Sequence, residues 1–381
     1  MADEAPGPSL HPVRWLPTDD RVEPVSGIGL CLSGGGYRAM VFHLGALWRL
    51  NELGWLPRLD RISSVSGGSI TAAALALAWP RLDFDQDGVA RRFETEVVGH
   101  VRALADRTID ESAIAVGLLT PDRIGERLGK AYREWLYGDA TLQDLPDRPR
   151  FIINATNLAS GQLLRFSKTE LADWRVGRIP APAVAVADAV ACSSAFPPVL
   201  SPFELDLRDA RWRTEEGNDL RGSEYRGRVR LADGGVYDNL GLETVYKRCR
   251  TVLVSDAGGR LADDPDPPED WLRQTVRVLK VADAQVRALR KRQLQDGYAL
   301  GLREGAYWGI RSDIAHYGLR DALPAPVEHT TALAETPTRL ARLPDRLQEA
   351  LVDWGYAITD AAMRRWVVPG APAPKQAPYQ R

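Results

Sequence analysis

The sequence predicts an α/β protein: a three-layer αβα arrangement around a mostly parallel central sheet, with a helical extension at the C-terminal end. Three observations carry this. Gly27–Ser33 and Arg61–Val65 are short, nearly uncharged runs of strand length, and each passes through small residues into a segment of helical period. Strands buried on both faces read as continuous apolar runs, and strand–turn–helix repetition is how parallel strands connect. After the acidic, proline-rich stretch Asp263-Asp264-Pro265-Asp266-Pro267-Pro268 the pattern turns helical and stays so.

In chain order, residues 1–25 read as an extended leader that Trp15 and Leu16 pin to the body. The first strand leads to a helix over Tyr37–Leu53, with Met40, Leu44, Leu47 and Trp48 or Leu50 at helical spacing and Gly54 as its C-terminal cap. Arg61–Val65 leads to an Ala/Leu-rich helix over Ser69–Trp79 that Pro80 stops. Residues 84–140 read as mainly helical. Within them Ser112–Leu119 is an uncharged run, taken as a core helix in preference to a membrane-touching lid. Phe151–Thr156 and Leu163–Ser167 read as strands joined by a turn at Ser160-Gly161, and Ala181–Cys192 as a small-residue helix. Residues 204–228, polar and arginine-rich, read as a surface excursion. Val229–Ala232 and Thr251–Ser255 are short strands flanking Asp233. Trp271, Leu272, Val276, Leu279, Ala282, Val286 and Leu289 form a helical stripe, with Trp271 and Leu279 expected to pack. Leu340–Trp354 and Thr359–Trp366 read as two helices broken at Gly355, and 369–381 as a disordered Pro/Ala-rich tail. The expected organisation is a leader (1–25), a catalytic domain (26–262), a helical extension packed on it (263–368) and the tail (369–381).

Composition excludes several functions. The chain carries 49 basic and 51 acidic residues, so no general nucleic-acid reading follows. Cys31, Cys192 and Cys249 show no paired spacing, which suggests neither a disulfide framework nor a zinc site and fits a reducing, cytoplasmic setting. The N-terminus has no signal-peptide pattern and no run of about 18 apolar residues occurs. Contact with a membrane is therefore expected from the surface only.

Three segments supply the parts of an acyl-transfer device. Ser33-Gly34-Gly35-Gly36-Tyr37-Arg38 exposes backbone N–H groups at a strand end, with the N-terminal dipole of the following helix behind them. Ser64-Val65-Ser66-Gly67-Gly68-Ser69 places a serine among small residues between strand and helix, the pattern of a nucleophile elbow. Asp233-Gly234-Gly235 sets a carboxylate where it can approach that serine. Together they offer a nucleophile (Ser66), a base (Asp233) and oxyanion donors (Gly34, Gly35, Gly36, with Gly67), supported by Gly68, Gly234 and Gly235. Two plainer readings compete: Ser66 as a simple turn residue, and the glycine loop as a phosphate-binding loop. The second lacks the Gly-Lys-Ser/Thr ending of a P-loop and the Gly-x-Gly-x-x-Gly spacing of a dinucleotide loop. Arg38 reads as support for the glycine loop, as a contact to lipid phosphate, or as an ordinary salt bridge. His43 reads as a packed histidine, Tyr237, Asp238 and Asn239 as shaping the loop around Asp233, and Arg287, Arg290, Lys291 and Arg292 as a solvated face in preference to a lipid-headgroup site.

The order Gly-Gly-Gly-x-Arg, small-x-Ser-x-Gly, Asp-Gly-Gly resembles the patatin-like phospholipase family over residues 27–260. Gly27–Leu32, Asn154-Ala155-Thr156-Asn157, Ala191–Pro198 and Asp233–Asn239 each resemble a family segment, and Ser33–Met40 is also similar to the calcium-dependent cytosolic phospholipases. Two departures stand out: Ser64 takes the place of the elbow's first glycine, and Ser33 that of an acidic residue before the glycine loop. The resemblance implies a Ser66–Asp233 dyad without histidine, no metal or organic cofactor, and a lipid acyl hydrolase of phospholipase A or lysophospholipase type acting through an acyl-enzyme. It implies a phospholipid or lysophospholipid substrate, peripheral contact at the inner membrane surface, and room for an oligomer or a small-molecule activator. A broad carboxylesterase or lipase, and a regulated membrane-degrading effector, remain alternatives. So does a non-enzymatic lipid-binding scaffold, against which the intact Ser66 and Asp233 argue.

Overall fold

A computed structural model describes residues 25–109, 124–198 and 200–380. The leader up to residue 24, with Trp15 and Leu16, and the uncharged run 112–119 lie outside the described residues. Ten strands share one sheet: β1 (Val25–Leu32), β2 (Arg61–Val65), β3 (Arg150–Asn157), β4 (Gln162–Phe166), β5 (Glu170–Asp173), β6 (Gly177–Pro180), β7 (Phe203–Asp206), β8 (Arg228–Asp233), β9 (Cys249–Asp256) and β10 (Glu304–Gly309). The spatial order is β10-β9-β1-β2-β3-β4-β5-β6, with β8 also on β3 and β7 on β8. The five strands from β10 to β3 are mutually parallel. β4, β5 and β6 continue as an antiparallel meander, and β8 runs antiparallel to β3.

Register brings the chemistry to one edge. Leu32 lies beside Ser64 of β2 and Ser255 of β9, Val65 lies beside Asn154, and Asp233 lies opposite Ala155. The glycine loop, the elbow and the aspartate therefore emerge together at the carboxyl ends of the parallel strands. That edge is where open α/β sheets place ligands.

The helices over seven residues or longer are α1 (Gly36–Glu52), α2 (Gly67–Ala78), α3 (Gly99–Ala105), α4 (Ile124–Tyr132), α5 (Val186–Ser194), α6 (Trp271–Ala299), α7 (Val327–Ala334) and α8 (Asp345–Trp366). α1 is buried all round except at Trp48 and Glu52, because α8 lies along it and also packs against β10. Leu44, Leu47 and Leu50 on α1 join Leu351, Ile358 and Met363 on α8 in one core. The crossing is backbone-close: a Cβ on Gly45 would stand 1.9 Å from the Val352 carbonyl oxygen, and one on Gly355 would stand 2.0 Å from that of Phe42.

That crossing corrects the expected break at Gly355. α8 runs unbroken through it, since the lost helix propensity of one glycine, about 1 kcal/mol, is smaller than the packing gained by the close approach. A second correction concerns 263–368, expected to be helical throughout. Glu304–Gly309 is the edge strand β10, parallel to β9. Its two glycines weaken the strand signal, and Gly305 sits at φ +129 against the Val252 backbone. Third, 369–380 is docked, not loose. The Tyr379 N–H donates to Asp353 (2.9 Å), its ring meets Trp48 edge-on and lies under the Arg102 guanidinium, and Pro372 O accepts from Arg49 (3.0 Å). One aromatic anchor and two backbone bonds order a segment whose composition holds no core of its own. Fourth, Trp271 and Leu279, expected to pack, are exposed. No helix among the described residues is long and apolar enough to cross a membrane.

The α1–α8 crossing gives a direct test. Gly355→Val should cost about 3 kcal/mol or more, as overpacking against backbone does, and should lower the urea midpoint and Tm together. Gly370→Ala, where an added Cβ meets nothing within 4 Å, should shift stability by no more than about 0.5 kcal/mol.

Candidate active site

The glycine loop begins where β1 ends. Ser33 N–H donates to Ser255 O (3.1 Å), and Ser33 Oγ accepts from Ala257 N–H (2.7 Å), so a hydroxyl does the anchoring at this position. Gly35 and Gly36 take φ +150 and +61, values that side chains rarely adopt. A Cβ on Gly36 would strike the Arg339 backbone at 2.5 Å, and one on Gly34 would stand 3.1 Å from Ser66 Cβ. Gly35 and Gly36, at the start of α1, show no acceptor for their N–H groups among the described residues. Gly34 differs: its N–H donates to Asn239 O at 3.0 Å. This corrects its expected place among the oxyanion donors, because a committed amide cannot also receive a developing charge.

Ser66 forms the turn between β2 and α2 at φ 52, ψ −122. A non-glycine residue there stores on the order of 1–3 kcal/mol of backbone strain. Its N–H donates to Ser193 Oγ (2.9 Å), and its carbonyl accepts from Ser69 N–H (2.8 Å) and Ile70 N–H (3.1 Å). Gly67 packs on Gly36 O and Gly68 on Leu32 O, where a Cβ would stand at 2.0 and 2.4 Å. At the head of α2, Gly67 and Gly68 N–H have no acceptor among the described residues. Ser64, in the place of a glycine, fits because its hydroxyl is used: it donates to Ile152 O (3.2 Å) and accepts from Ser69 Oγ (3.1 Å), which in turn meets Ser193 Oγ at 2.9 Å.

Asp233 ends β8, fully surrounded. Its N–H donates to Ala195 O (2.8 Å), its carbonyl accepts from Thr156 Oγ1 (2.8 Å), and its Oδ1 accepts from Gly235 N–H (2.7 Å). Burial pushes its pKa up to about 7; bonds from the Gly235 N–H and the Ser66 hydroxyl pull the other way, and the charge of Asp283 adds to the rise. The carboxyl thus lies near enough to the Ser66 hydroxyl to feel it, and burial poises it between its two protonation states near neutral pH. A Cβ on Gly234 would stand 2.3 Å from Asn154 O, and one on Gly235 2.6 Å from Asn239 Oδ1, so both glycines let the loop lie against its neighbours.

Arg38 is buried. Its guanidinium donates to Ala257 O and to Thr336 O, which supports the glycine loop from behind, and it makes no ion pair among the described residues. His43 is packed: its ring nitrogens meet Ser255 Oγ (2.8 Å) and Ser33 O (2.9 Å), and burial lowers its pKa to about 4. The reading of residues had no role for Ser193 and Ala195. Ser193 Oγ holds Ser66, Ser193 O accepts from Gly234 N–H (3.3 Å) and Ala195 O holds Asp233. Two consecutive serines closing an otherwise apolar helix were the available signal. Asn239 joins them, its backbone holding Gly34 and its side chain set between the glycine loop and Gly235.

A doubly covered α/β sheet with a strained serine elbow, a buried carboxyl and unpaired amides at its carboxyl edge is the framework of an acyl hydrolase. The chain belongs to the patatin-like phospholipase family, whose model matches residues 30–246. Among solved structures it is similar to human GIVD cytosolic phospholipase A2, at 14% identity and a TM-score of 0.55 over 90% of this chain and 61% of that one. It is also similar to the same human protein in complex with methyl gamma-linolenyl fluorophosphonate, at 15% identity and a TM-score of 0.50 over 90% and 58%. VipD from Legionella pneumophila matches at 17% identity over 88% and 66%, with a TM-score of 0.33. The chain spans about three fifths of the human structures' length, and at these identities the likeness shows the fold. No curated protein matches the sequence.

Ser193→Ala removes the acceptor of the Ser66 N–H and a partner of Ser69. It should destabilise the protein by about 1–3 kcal/mol, read from denaturant midpoints, and slow ester hydrolysis more than it raises KM.

Proposed function

We propose that this protein is a lipid acyl hydrolase of phospholipase A or lysophospholipase type. Ser66 Oγ attacks the ester carbonyl carbon while its proton passes to Asp233. The carbonyl oxygen becomes an oxyanion held by the N–H groups of Gly35, Gly36 and Gly67, with the α1 and α2 N-termini behind them. Collapse expels the alcohol, which takes the proton from Asp233 and leaves an acyl-Ser66 ester. Water then attacks that ester, giving its proton to Asp233, and the fatty acid leaves as Ser66 recovers the proton. Backbone amides and one carboxyl supply every step. The observation that carries this reading is a buried carboxyl at the carboxyl edge of the sheet, its pKa raised to about 7 by burial and lowered in part by the nearby Ser66 hydroxyl.

In this reading residues 26–262 form the catalytic body, and 263–368 pack on it and lend the sheet its edge strand. The substrate is a phospholipid or lysophospholipid met at a membrane surface on the cytoplasmic side. Family membership and the fold of the human phospholipase support the lipid class.

With p-nitrophenyl esters, Ser66→Ala should lose at least about a hundredfold in kcat/KM, and Asp233→Asn should lose as much with its fold intact. Hydrolysis retained by Ser66→Ala would reject Ser66 as the nucleophile, and an active Asp233→Asn enzyme would reject the dyad. Incubation with mixed bilayers followed by lipid mass spectrometry tests the substrate class: release of fatty acid only from neutral esters would favour a broad carboxylesterase.

The pH dependence has a fixed sign. The reactive carboxyl must be deprotonated to accept a proton, and its pKa is raised to about 7. kcat/KM should therefore climb from pH 5 to 8 with a midpoint near 7; a flat profile across that range would contradict Asp233 as base.

A further inference from the structure

α6 is amphipathic in the wrong direction for a core helix. Only Leu294 and Gly297 are buried along its 29 residues, while Trp271 (77% exposed), Leu272, Val278, Leu279 (63%) and Leu289 (57%) face solvent. At 100° per residue these five, with Thr275, Ala282 and Val286 between them, fall on one arc of about 120°. Leu300 and Leu302, just past the helix end, are exposed as well. Monomeric proteins rarely leave so continuous an apolar stripe uncovered.

The C-terminal half of α6 is fastened to the catalytic body. Arg290 pairs with Glu243 (2.5 Å) and lies over the Tyr237 ring, Lys291 pairs with Asp256 (3.2 Å), and Arg287 bonds Gly259 O and Asp283. Three members of the expected basic cluster thus serve the body and not a lipid surface. Tyr237 and Glu243 lie in the loop and short turn that follow Asp233, and the Asp283 carboxylate is close enough to raise the pKa of Asp233. The helix is therefore a rigid neighbour of the catalytic edge. Its N-terminal half carries the exposed stripe together with Arg273, Arg277 and Lys280.

We propose that α6 is the element that docks this enzyme on an anionic bilayer, with the Trp271–Leu289 stripe entering the headgroup boundary. Charge decides between occupants. Trp271–Ala299 holds seven basic and two acidic side chains; Arg287, Arg290 and Lys291 are neutralised by carboxylates and Arg273 pairs with the exposed Asp270, while Arg277, Lys280 and Arg292 have no ion pair among the described residues. An apolar partner helix would leave that surplus positive charge unmatched, whereas anionic lipid attracts it. Trp at the end of the stripe, leucines within it and basic residues on the opposite face are the make-up of an interfacial helix. The choice of a bilayer as occupant rests on the lipid hydrolysis proposed above.

The test uses the full chain carrying Ser66→Ala, so that binding is read without turnover, and sedimentation with phosphatidylcholine vesicles with and without phosphatidylglycerol. Leu272→Glu with Leu279→Glu should lower partition onto the anionic vesicles at least about tenfold. Arg273→Glu with Arg277→Glu and Lys280→Glu should erase the preference for them. In the Ser66 background, the first pair should leave p-nitrophenyl ester hydrolysis within about twofold while vesicle hydrolysis falls with binding. Undiminished partition of the leucine variant overturns the proposal. So does a wild-type dimer that the leucine variant converts to monomer, since the stripe would then pair two copies. Vesicle binding lost in the variant, with no hydrolysis of any ester by the wild type, supports docking and rejects the proposed function instead.

Discussion

The site depends on one unfavourable arrangement: a carboxyl kept out of water with only two donors. Moving the Asp233 pKa from 3.8 to about 7 corresponds to about 4 kcal/mol of penalty on the charged form. Because the folded-state value is the raised one, the penalty is absent below about pH 3.8, grows as pH rises, and is complete above about 7. The rest of the fold must hold this group in place against that cost. It does so by bonding the backbone on each side of the carboxyl: Asp233 N–H to Ala195 O, Asp233 O to Thr156 and Gly234 N–H to Ser193 O. The carboxylate is shielded from bulk solvent, and these bonds hold the strand end in place.

The second strained element, Ser66, is held by the same segment. The end of α5 binds the elbow through Ser193 Oγ and the base strand through two carbonyls. Ser66 and Asp233 lie 167 residues apart in sequence, and this short connector fixes their spacing. The glycine loop is held from a third direction. Tyr37 N–H donates to Arg339 O, and Arg38 reaches Thr336 O. Residues 336–339 lie just before α8, so the C-terminal part of the chain sets the position of the amides facing the elbow. Packing of α8 on α1 then bears on the chemistry as well as on stability.

What could be read in advance follows from how local each signal is. β1, β2 and the helices after them were legible because apolar runs, glycine turns and helical spacing all lie within about 20 residues of each other. Ser66 and Asp233 were legible for the same reason: elbow and Asp-Gly-Gly are contiguous motifs. Gly34 was misplaced because Gly34, Gly35 and Gly36 look alike in sequence, and only the distant Asn239 carbonyl singles one out. Gly355 looked like a helix end because its partner, the Phe42 carbonyl, lies more than 300 residues away. The α6 stripe looked like core because periodicity reports an apolar face but not what covers it. The Ser193 and Ala195 carbonyls act as backbone atoms, which no residue type announces, and the Ser193 hydroxyl was signalled only by two consecutive serines at a helix end.

In the proposed mechanism a carboxylate takes the place of histidine as base, and the structure offers a reason for it. The site does hold an imidazole nearby, but His43 sits behind the glycine loop with both ring nitrogens taken by Ser255 and Ser33, and burial holds its pKa near 4. It is a neutral strut. A histidine base also needs a third group to fix its tautomer and orientation, and the space beside Ser66 is filled by backbone from four segments. A carboxyl has no tautomer to set and needs only two contacts, the Gly235 N–H and the Ser66 hydroxyl. Its usual weakness as a base is removed by burial, which brings its pKa into the range where imidazole works. The compactness that brings glycine loop, elbow and base loop into backbone contact is thus the same property that makes a bare aspartate basic enough to serve.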